Sequence, residues 1–311
     1  MASYGVPFKG SKSSIAKWLV DLLPPSHTFV DLFAGGCAVT HCAMLSGKWE
    51  RFVANDLTDA PAMFVDAVRG EYDGYCTVPD RDQFNEEKAV DYALSVLYSF
   101  SNNGRDYLWS KKLEPVKVHA SRMLAMPSMH ERRMEYKKFV HALSDYIREG
   151  DAVGKLTGSA DGKDKGHGLQ SLERLERLQR LQGLQGLERL QGLQGLQGLQ
   201  GLERLECLQM DYREVPIERG ATVYADPPYR GTIPGAYAEF DYREFDEWLA
   251  SVDFPVYVSE HTCPDGCVEI ARREKNQTCA ANCTKRVQER VFVQERFATG
   301  RDGMTAAKEG E

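Results

Sequence analysis

The sequence predicts an α/β protein: an open sheet contributed by two separated stretches of chain, with a mostly helical block inserted between them. Three observations predict it. Residues 13–57 read helix, strand, glycine turn, helix, strand. Residues 207–298 read strand, strand, helix, strand and a late strand pair ending near Phe297, and residues 58–156 carry apolar positions mostly at helical spacing. The expected organisation is a core from 1–57 and 207–298, a helical region over 58–156, a linker and repeat over 157–206, and a disordered tail over 299–311.

The elements follow in order. Ser13 to Leu23 places Ile15, Ala16, Leu19, Leu22 and Leu23 on a helical face, and Pro24-Pro25 stops it. Thr28 to Phe33 is a short apolar strand, followed by Ala34-Gly35-Gly36-Cys37 and a second helix. Arg51-Phe52-Val53-Ala54 is the next strand, closed by Asn55-Asp56. Val223-Tyr224-Ala225 is a strand ending in Asp226-Pro227-Pro228-Tyr229. Between Leu169 and Met210 leucine recurs every third residue through fourteen triplets, six of them glycine-bearing. Steps of three wind around an α-helix and alternate across a strand, so the leucines share no buried face. The tract is expected to be a surface excursion whose last triplets, near Leu205, run into a core strand. Thr157 to Gly168, without a run of apolar residues, reads as the linker before it.

Composition narrows the class. The chain has 311 residues, 42% hydrophobic and 27% charged, enough to bury a core without staples. It contains no run of about 18 apolar residues that would span a bilayer. Lys9, Lys12 and Lys17 precede apolar residues that Asp21 interrupts, which is not the pattern of an export signal, and eight scattered cysteines then fit a reducing compartment. The net charge of −7 favours solubility and decides nothing about nucleic acid, which is gripped by local basic patches.

Two motifs carry chemistry. Gly35 and Gly36 beyond a strand permit a tight turn and close approach of a ligand, and the following helix aims its N–H groups there. Asp56, at the end of the next strand, stands where open α/β sheets hold a ribose hydroxyl pair. Asp31 beside the glycine turn would repel a pyrophosphate and attract a cation, which argues against a nicotinamide dinucleotide. It favours a ligand with an amine, a sulfonium and a ribose, the description of S-adenosylmethionine. In Asp226-Pro227-Pro228-Tyr229 the prolines remove two donors and fix the backbone, so the Asp226 carboxylate and a carbonyl form a rigid acceptor pair. Accepting both hydrogens of an exocyclic amine makes its nitrogen nucleophilic, and Tyr229 offers a flat face to a base.

Three further segments complete a pattern: Pro7-Phe8-Lys9-Gly10-Ser11-Lys12, Ser99-Phe100-Ser101-Asn102-Asn103-Gly104-Arg105 and Met210-Asp211-Tyr212. With the glycine and Asp-Pro-Pro-Tyr motifs, in this order, the chain resembles the N6-adenine-specific DNA methyltransferases of the phage and bacterial DNA adenine methylase type. Ser11, Cys37 and the leucine tract depart from the family pattern. The resemblance implies a Rossmann-like S-adenosylmethionine-dependent methyltransferase sheet of seven strands with an inserted DNA-recognition region. It implies S-adenosylmethionine as cofactor, methyl transfer to N6 of an adenine flipped out of double-stranded DNA, and a cytoplasmic setting in a bacterial or phage-infected cell. A cognate restriction endonuclease is among the partners to consider. The carried-over site is Asp226, Pro227, Pro228 and Tyr229 for catalysis, with Phe8, Lys12, Asp31, Phe33, Gly35, Asp56, Asp211 and Tyr212 at the cofactor.

DNA contacts are expected from Ser101 to Val140, where nine Lys/Arg face four acids. Lys111, Lys112, Arg132 and Arg133 suit phosphates, and Asn102, Asn103 and Arg105 suit base edges. A solvated helical face is the competing reading. Cys263, Cys267, Cys279 and Cys283 have spacing admissible for zinc but read as free thiols, so no metal is expected. The alternatives are N4-cytosine methylation, with the same amine chemistry, and a catalytically silent nucleic-acid-binding protein on the same fold.

Overall fold

The computed structural model describes residues 4–72, 77–156, 196, 199–231, 240–280 and 283–298. Seven strands form one sheet: β1 (Thr28–Asp31), β2 (Arg51–Asn55), β3 (Leu205–Leu208), β4 (Thr222–Ala225), β5 (Val256–Glu260), β6 (Cys267–Ala280) and β7 (Cys283–Gln294). Their order is β3-β2-β1-β4-β5-β7-β6. Strands β3 to β5 are mutually parallel, β7 runs antiparallel to β5, and β6 and β7 form a hairpin. The mixed α/β sheet is the one expected of a Rossmann-like methyltransferase.

Strands β1, β4 and β5 are buried along their whole length, which explains their runs of Val, Ala, Phe and Tyr without a polar face. Val30, Val53, Val223, Val258 and Phe292 pack with Leu249 and Phe245 of a helix at Tyr242–Ser251. The chain leaves β1 toward β2 and β3 on one side and later fills β4 and β5 on the other. Order therefore reverses between β1 and β4, and open α/β sheets bind ligands beyond the strand ends at such a point. The register Asp31↔Tyr224 sets the end of β1 beside the end of β4.

The chain divides into two compact units, one within Met1–Val65 and Gly198–Glu311, the other within Asp66–Gln197. The first carries the sheet, with α1 (Ala16–Leu22) and α2 (Ala38–Ser46). The second is helical: α4 (Arg81–Glu87), α5 (Tyr92–Leu97), α6 (Glu114–Ala125) and α7 (Met129–Leu156), after α3 (Ala60–Arg69) has crossed from one unit to the other. Side-chain caps start α4, α5 and α7. Asp80 accepts Gln83 N–H at 3.0 Å and Asp91 accepts Leu94 N–H at 2.8 Å. At the start of α7 the Ser128 hydroxyl accepts Glu131 N–H at 3.2 Å and donates to the Glu131 carboxylate at 2.6 Å. Phe84, Tyr107 and Trp109 pack ring against ring in this unit's core.

Three expectations change. Strand β1 ends at Asp31, so Leu32 and Phe33 belong to the turn. The late strand pair ends at Gln294, and Phe297 lies in a short helix, Glu295–Ala298. Leu205 does enter the sheet as β3, but Leu196 is also buried and Leu199 half-buried, so the end of the tract packs rather than loops out. Most of the tract, the linker at 157–168 and the tail at 299–311 lie outside the described residues. Among the described residues no helix is long and apolar enough to cross a membrane.

Candidate active site

The glycine turn connects β1 to α2. Cys37 N–H donates to Ala34 O at 2.8 Å, and Ala34 N–H donates to Asn55 O at 2.8 Å. Gly35 has φ +47° and Cys37 φ +58°, so the turn holds a left-handed residue that is not glycine. A Cβ on Gly35 would stand 2.7 Å from the Phe8 ring, and one on Gly36 would stand 2.4 Å from the Val6 carbonyl oxygen. The expectation that the glycines admit a ligand is corrected in its reason: the backbone and ring they admit belong to the N-terminal segment. That segment is tied down further. Val6 N–H donates to Gly36 O at 2.8 Å, and Gly5 N–H donates to His41 Nδ1 at 3.1 Å. Burial pushes the His41 pKa down to about 4, so the ring stays neutral and accepts.

Two acids frame the turn. Asp31 is 1% exposed, and burial, with Asp226 and Asp56 adding to it against the Thr40 hydrogen bond, raises its pKa to about 7. Thr40 Oγ1 donates to its Oδ2 at 2.8 Å, while Oδ1 is buried without a hydrogen-bond partner among the described residues. Asp56 grips the loop itself: its Oδ2 accepts Gly35 N–H at 2.8 Å, and its Oδ1 accepts Thr58 N–H and Oγ1–H at 2.9 and 2.7 Å. Asn55 laces three strand ends. Its amide donates to Leu32 O at 3.0 Å and Met210 O at 3.1 Å and accepts Met210 N–H at 3.2 Å. Phe33 and Tyr212 meet ring to ring at 5.2 Å between centroids, with Phe245 and Trp248 behind Tyr212. Asp211 is held by Arg213 through two contacts of 2.8 Å.

At the end of β4, Lys12 Nζ lies 2.6 Å from Asp226 Oδ2. Lys12, expected at the cofactor, is thus paired with the Asp226 carboxylate. The ammonium also lies 3.9 Å from Glu289 Oε1 and 4.5 Å from the Tyr229 ring centroid. Burial pushes the Lys12 pKa down, but Asp226 and Glu289 outweigh it and hold it above the ordinary lysine value. Tyr229 O–H donates to Glu289, and its ring stands near-perpendicular to that of His261 at 4.4 Å between centroids. One face of the tyrosine is covered by Lys12. Burial, then Asp226 and Glu289, raises the Tyr229 pKa well above its usual value. Glu260, at the end of β5, accepts Arg230 N–H at 3.1 Å and His261 N–H at 2.7 Å, fixing the backbone just after the motif.

Glu289 and Glu260 were not singled out from sequence. The signal for Glu289 was present: it is in phase with Val287, Val291 and Val293 on a strand face otherwise apolar. A carboxylate there must be paired, because burying one alone is costly.

The helical unit places the other candidates. Asn102 Nδ2–H donates to Val96 O at 3.0 Å. Asn103 donates to Asp106 at 2.7 Å and accepts Arg105 N–H at 2.9 Å. The two amides, expected at base edges, hold their own loop together. Arg105, Lys111, Lys112, Arg132 and Arg133 are exposed. Glu135, by contrast, is buried and bound to His119 at 2.9 Å and Lys138 at 2.6 Å, joining α6 to α7.

The strand register separates the cysteines. Cys267 pairs with Gln294 at one end of the β6–β7 hairpin, and Cys283 pairs with Ala280 at the other. At ~3.3 Å per residue the two ends lie some ~40 Å apart, so the four cannot share one ion.

A family model described as D12 class N6 adenine-specific DNA methyltransferase matches residues 8–109, about a third of the chain. The match takes in the Phe8–Lys12 segment, the glycine turn, Asp56 and the helical unit as far as Trp109. The family is one of enzymes of DNA methylation, whose members generally use S-adenosylmethionine. No curated protein matches the chain.

Proposed function

We propose that this chain, whose residues 8–109 match the D12 class N6 adenine-specific DNA methyltransferases, methylates adenine N6 at a specific DNA site with S-adenosylmethionine bound at the β1/β4 reversal. The observation that carries the reading is the juxtaposition of two strand ends: Asp31 with the glycine turn on one, Asp226 with its two prolines on the next. The residues fit the cofactor. Asp31 Oδ1 is a buried acceptor in want of a donor or cation, and Phe8, Phe33, Gly35, Asp56, Asp211 and Tyr212 surround the same turn or the neighbouring strand end. When bound, S-adenosylmethionine supplies an electrophilic methyl group.

The chain supplies the rest. Asp226 and the carbonyl fixed by Pro227 and Pro228 accept the two amine hydrogens of a flipped adenine, and the Tyr229 ring stacks on the base. Lys12 at 2.6 Å sets Asp226 as an ionised acceptor, and holding the amine in line is the main source of rate. Lys111, Lys112, Arg132 and Arg133 hold DNA phosphates, while Asn102 and Asn103 shape the loop that presents Arg105 to a base edge. The domain reading that goes with it is a catalytic core of 1–57 and 207–298 and a recognition region over 58–156. Its setting is the cytoplasm of a bacterial or phage-infected cell, with a restriction endonuclease as the candidate protein partner.

The test is long-read sequencing of DNA from cells expressing the chain. N6-methyladenine at one short motif, absent from the Asp226→Ala control, is expected. Unmodified adenine with methylated cytosine N4 would replace the reading.

A further inference from the structure

We infer that Glu289 is a positioning residue of the methyl-transfer site, which acts through Lys12 and Tyr229 on the catalytic Asp226. The inference rests on the proposed activity and adds to it a group from β7, an element that carries none of the motifs.

Glu289 is fully buried on the strand next to β5. Its Oε1 accepts the Tyr229 hydroxyl and lies 3.9 Å from Lys12 Nζ, which is itself 2.6 Å from Asp226. One ammonium thus stands between two carboxylates. A buried strand carboxylate that served only the fold would be replaceable by a valine like its neighbours Val287 and Val291, because buried ion pairs add little stability over apolar packing. Here it contacts the tyrosine on which the target base stacks and the ammonium that pairs with Asp226. It fixes the hydroxyl end of the tyrosine on which the base stacks. It also divides the Lys12 charge with Asp226, and so sets how strongly that charge holds Asp226 ionised. Other titratable groups around the cluster are Tyr224 on β4, Glu260 and His261 at the end of β5, and Asp31 on β1.

Charge arithmetic gives opposite signs for two substitutions. Glu289→Gln keeps shape and an acceptor for the tyrosine but removes the negative charge, so Lys12 acts on Asp226 undivided. Tyr229→Phe removes the hydroxyl that offsets the Glu289 charge, so Glu289 competes harder for Lys12. Methyl-transfer kinetics on an adenine-containing duplex, measured from pH 5 to pH 9 with the full chain, read both effects. For Glu289→Gln the expected result is a kcat lower by about tenfold, with KM for S-adenosylmethionine and DNA within about threefold. The acid limb of kcat should move to lower pH by about half a unit or more. For Tyr229→Phe the acid limb should move to higher pH. If Glu289→Gln does not fold, Tyr229→Phe alone decides. An unmoved acid limb in a folded variant, or shifts of the same sign in both, overturns the inference. A wild-type chain that methylates no adenine would instead remove the activity on which it rests.

Discussion

Asp31 shows how one buried carboxylate can trade stability for binding. Its pKa of about 7 lies above the ~4 of an unfolded aspartate, so the folded state prefers the protonated acid. Its contribution is fully present below about pH 4 and is lost as pH rises through about 7. Asp31→Asn keeps an acceptor for Thr40 and cannot ionise. Its melting temperature should therefore exceed that of the wild type by a margin that grows from pH 4 to about pH 7 and then levels, equivalent to roughly a few kcal/mol at most. Calorimetric scans at pH 5 and pH 8 check the sign, and S-adenosylmethionine titration should show the affinity lost in exchange. Asp226 behaves differently because it acts on the target amine. Asp226→Ala should lower methyl transfer by roughly 10²-fold or more while cofactor affinity stays within a few-fold, as tritium-methyl transfer and calorimetry would report.

At the scale of elements, the N-terminal segment and the glycine turn form one device. Val6 and Phe8 occupy the space that Cβ atoms on Gly36 and Gly35 would fill, and Gly5 is bonded to His41 of α2. Gly36→Ala drives a methyl against a backbone carbonyl that cannot rotate away. The expected cost is about 1–3 kcal/mol in chemical denaturation, with Lys12 displaced from Asp226 and activity lost beyond the stability effect. In the helical unit the decisive elements are α6 and α7. Glu135 joins them through His119 and Lys138, and Lys111, Lys112, Arg132 and Arg133 of the same unit are exposed. Reversing Lys111, Lys112, Arg132 and Arg133 to glutamate should weaken DNA binding and flatten its salt dependence by about one unit of slope per lost phosphate contact. An unchanged slope in fluorescence anisotropy would make this a solvated face.

The whole molecule is a sheet interrupted between β2 and β3 by the helical unit and the leucine tract. Leu196 and Leu199 are packed, and Leu205 pairs with Phe52 in the sheet. Deleting six triplets, Leu178 to Gly195, keeps all three and should shift thermal unfolding little with methylation retained. Extending the deletion to Gly201 removes two packed leucines and should cost several kcal/mol, at ~1.5–3 kcal/mol for a fully buried one. A collapse of melting and methylation in the shorter deletion would make the tract part of the core.

The sequence by itself determined the strands with their capping motifs and the order of those motifs, because both are local. A strand of buried Val, Phe and Ala ending in Asp-Leu-Phe-Ala-Gly-Gly or Asp-Pro-Pro-Tyr is written in a few consecutive residues, and so is Leu205 running into β3. Tertiary structure decided the pairings. Lys12 pairs with Asp226, more than 200 positions away in sequence, because the N-terminal segment folds back over the glycine turn. The bonds by which Asn102 and Asn103 close their own loop were likewise invisible in the sequence. Glu289 was visible only as a charge out of place on an apolar strand face. Its partners, Tyr229 and Lys12, come from two other parts of the chain, and only the assembled sheet brings a lysine and two carboxylates out of water together, where each must find its counter-charge.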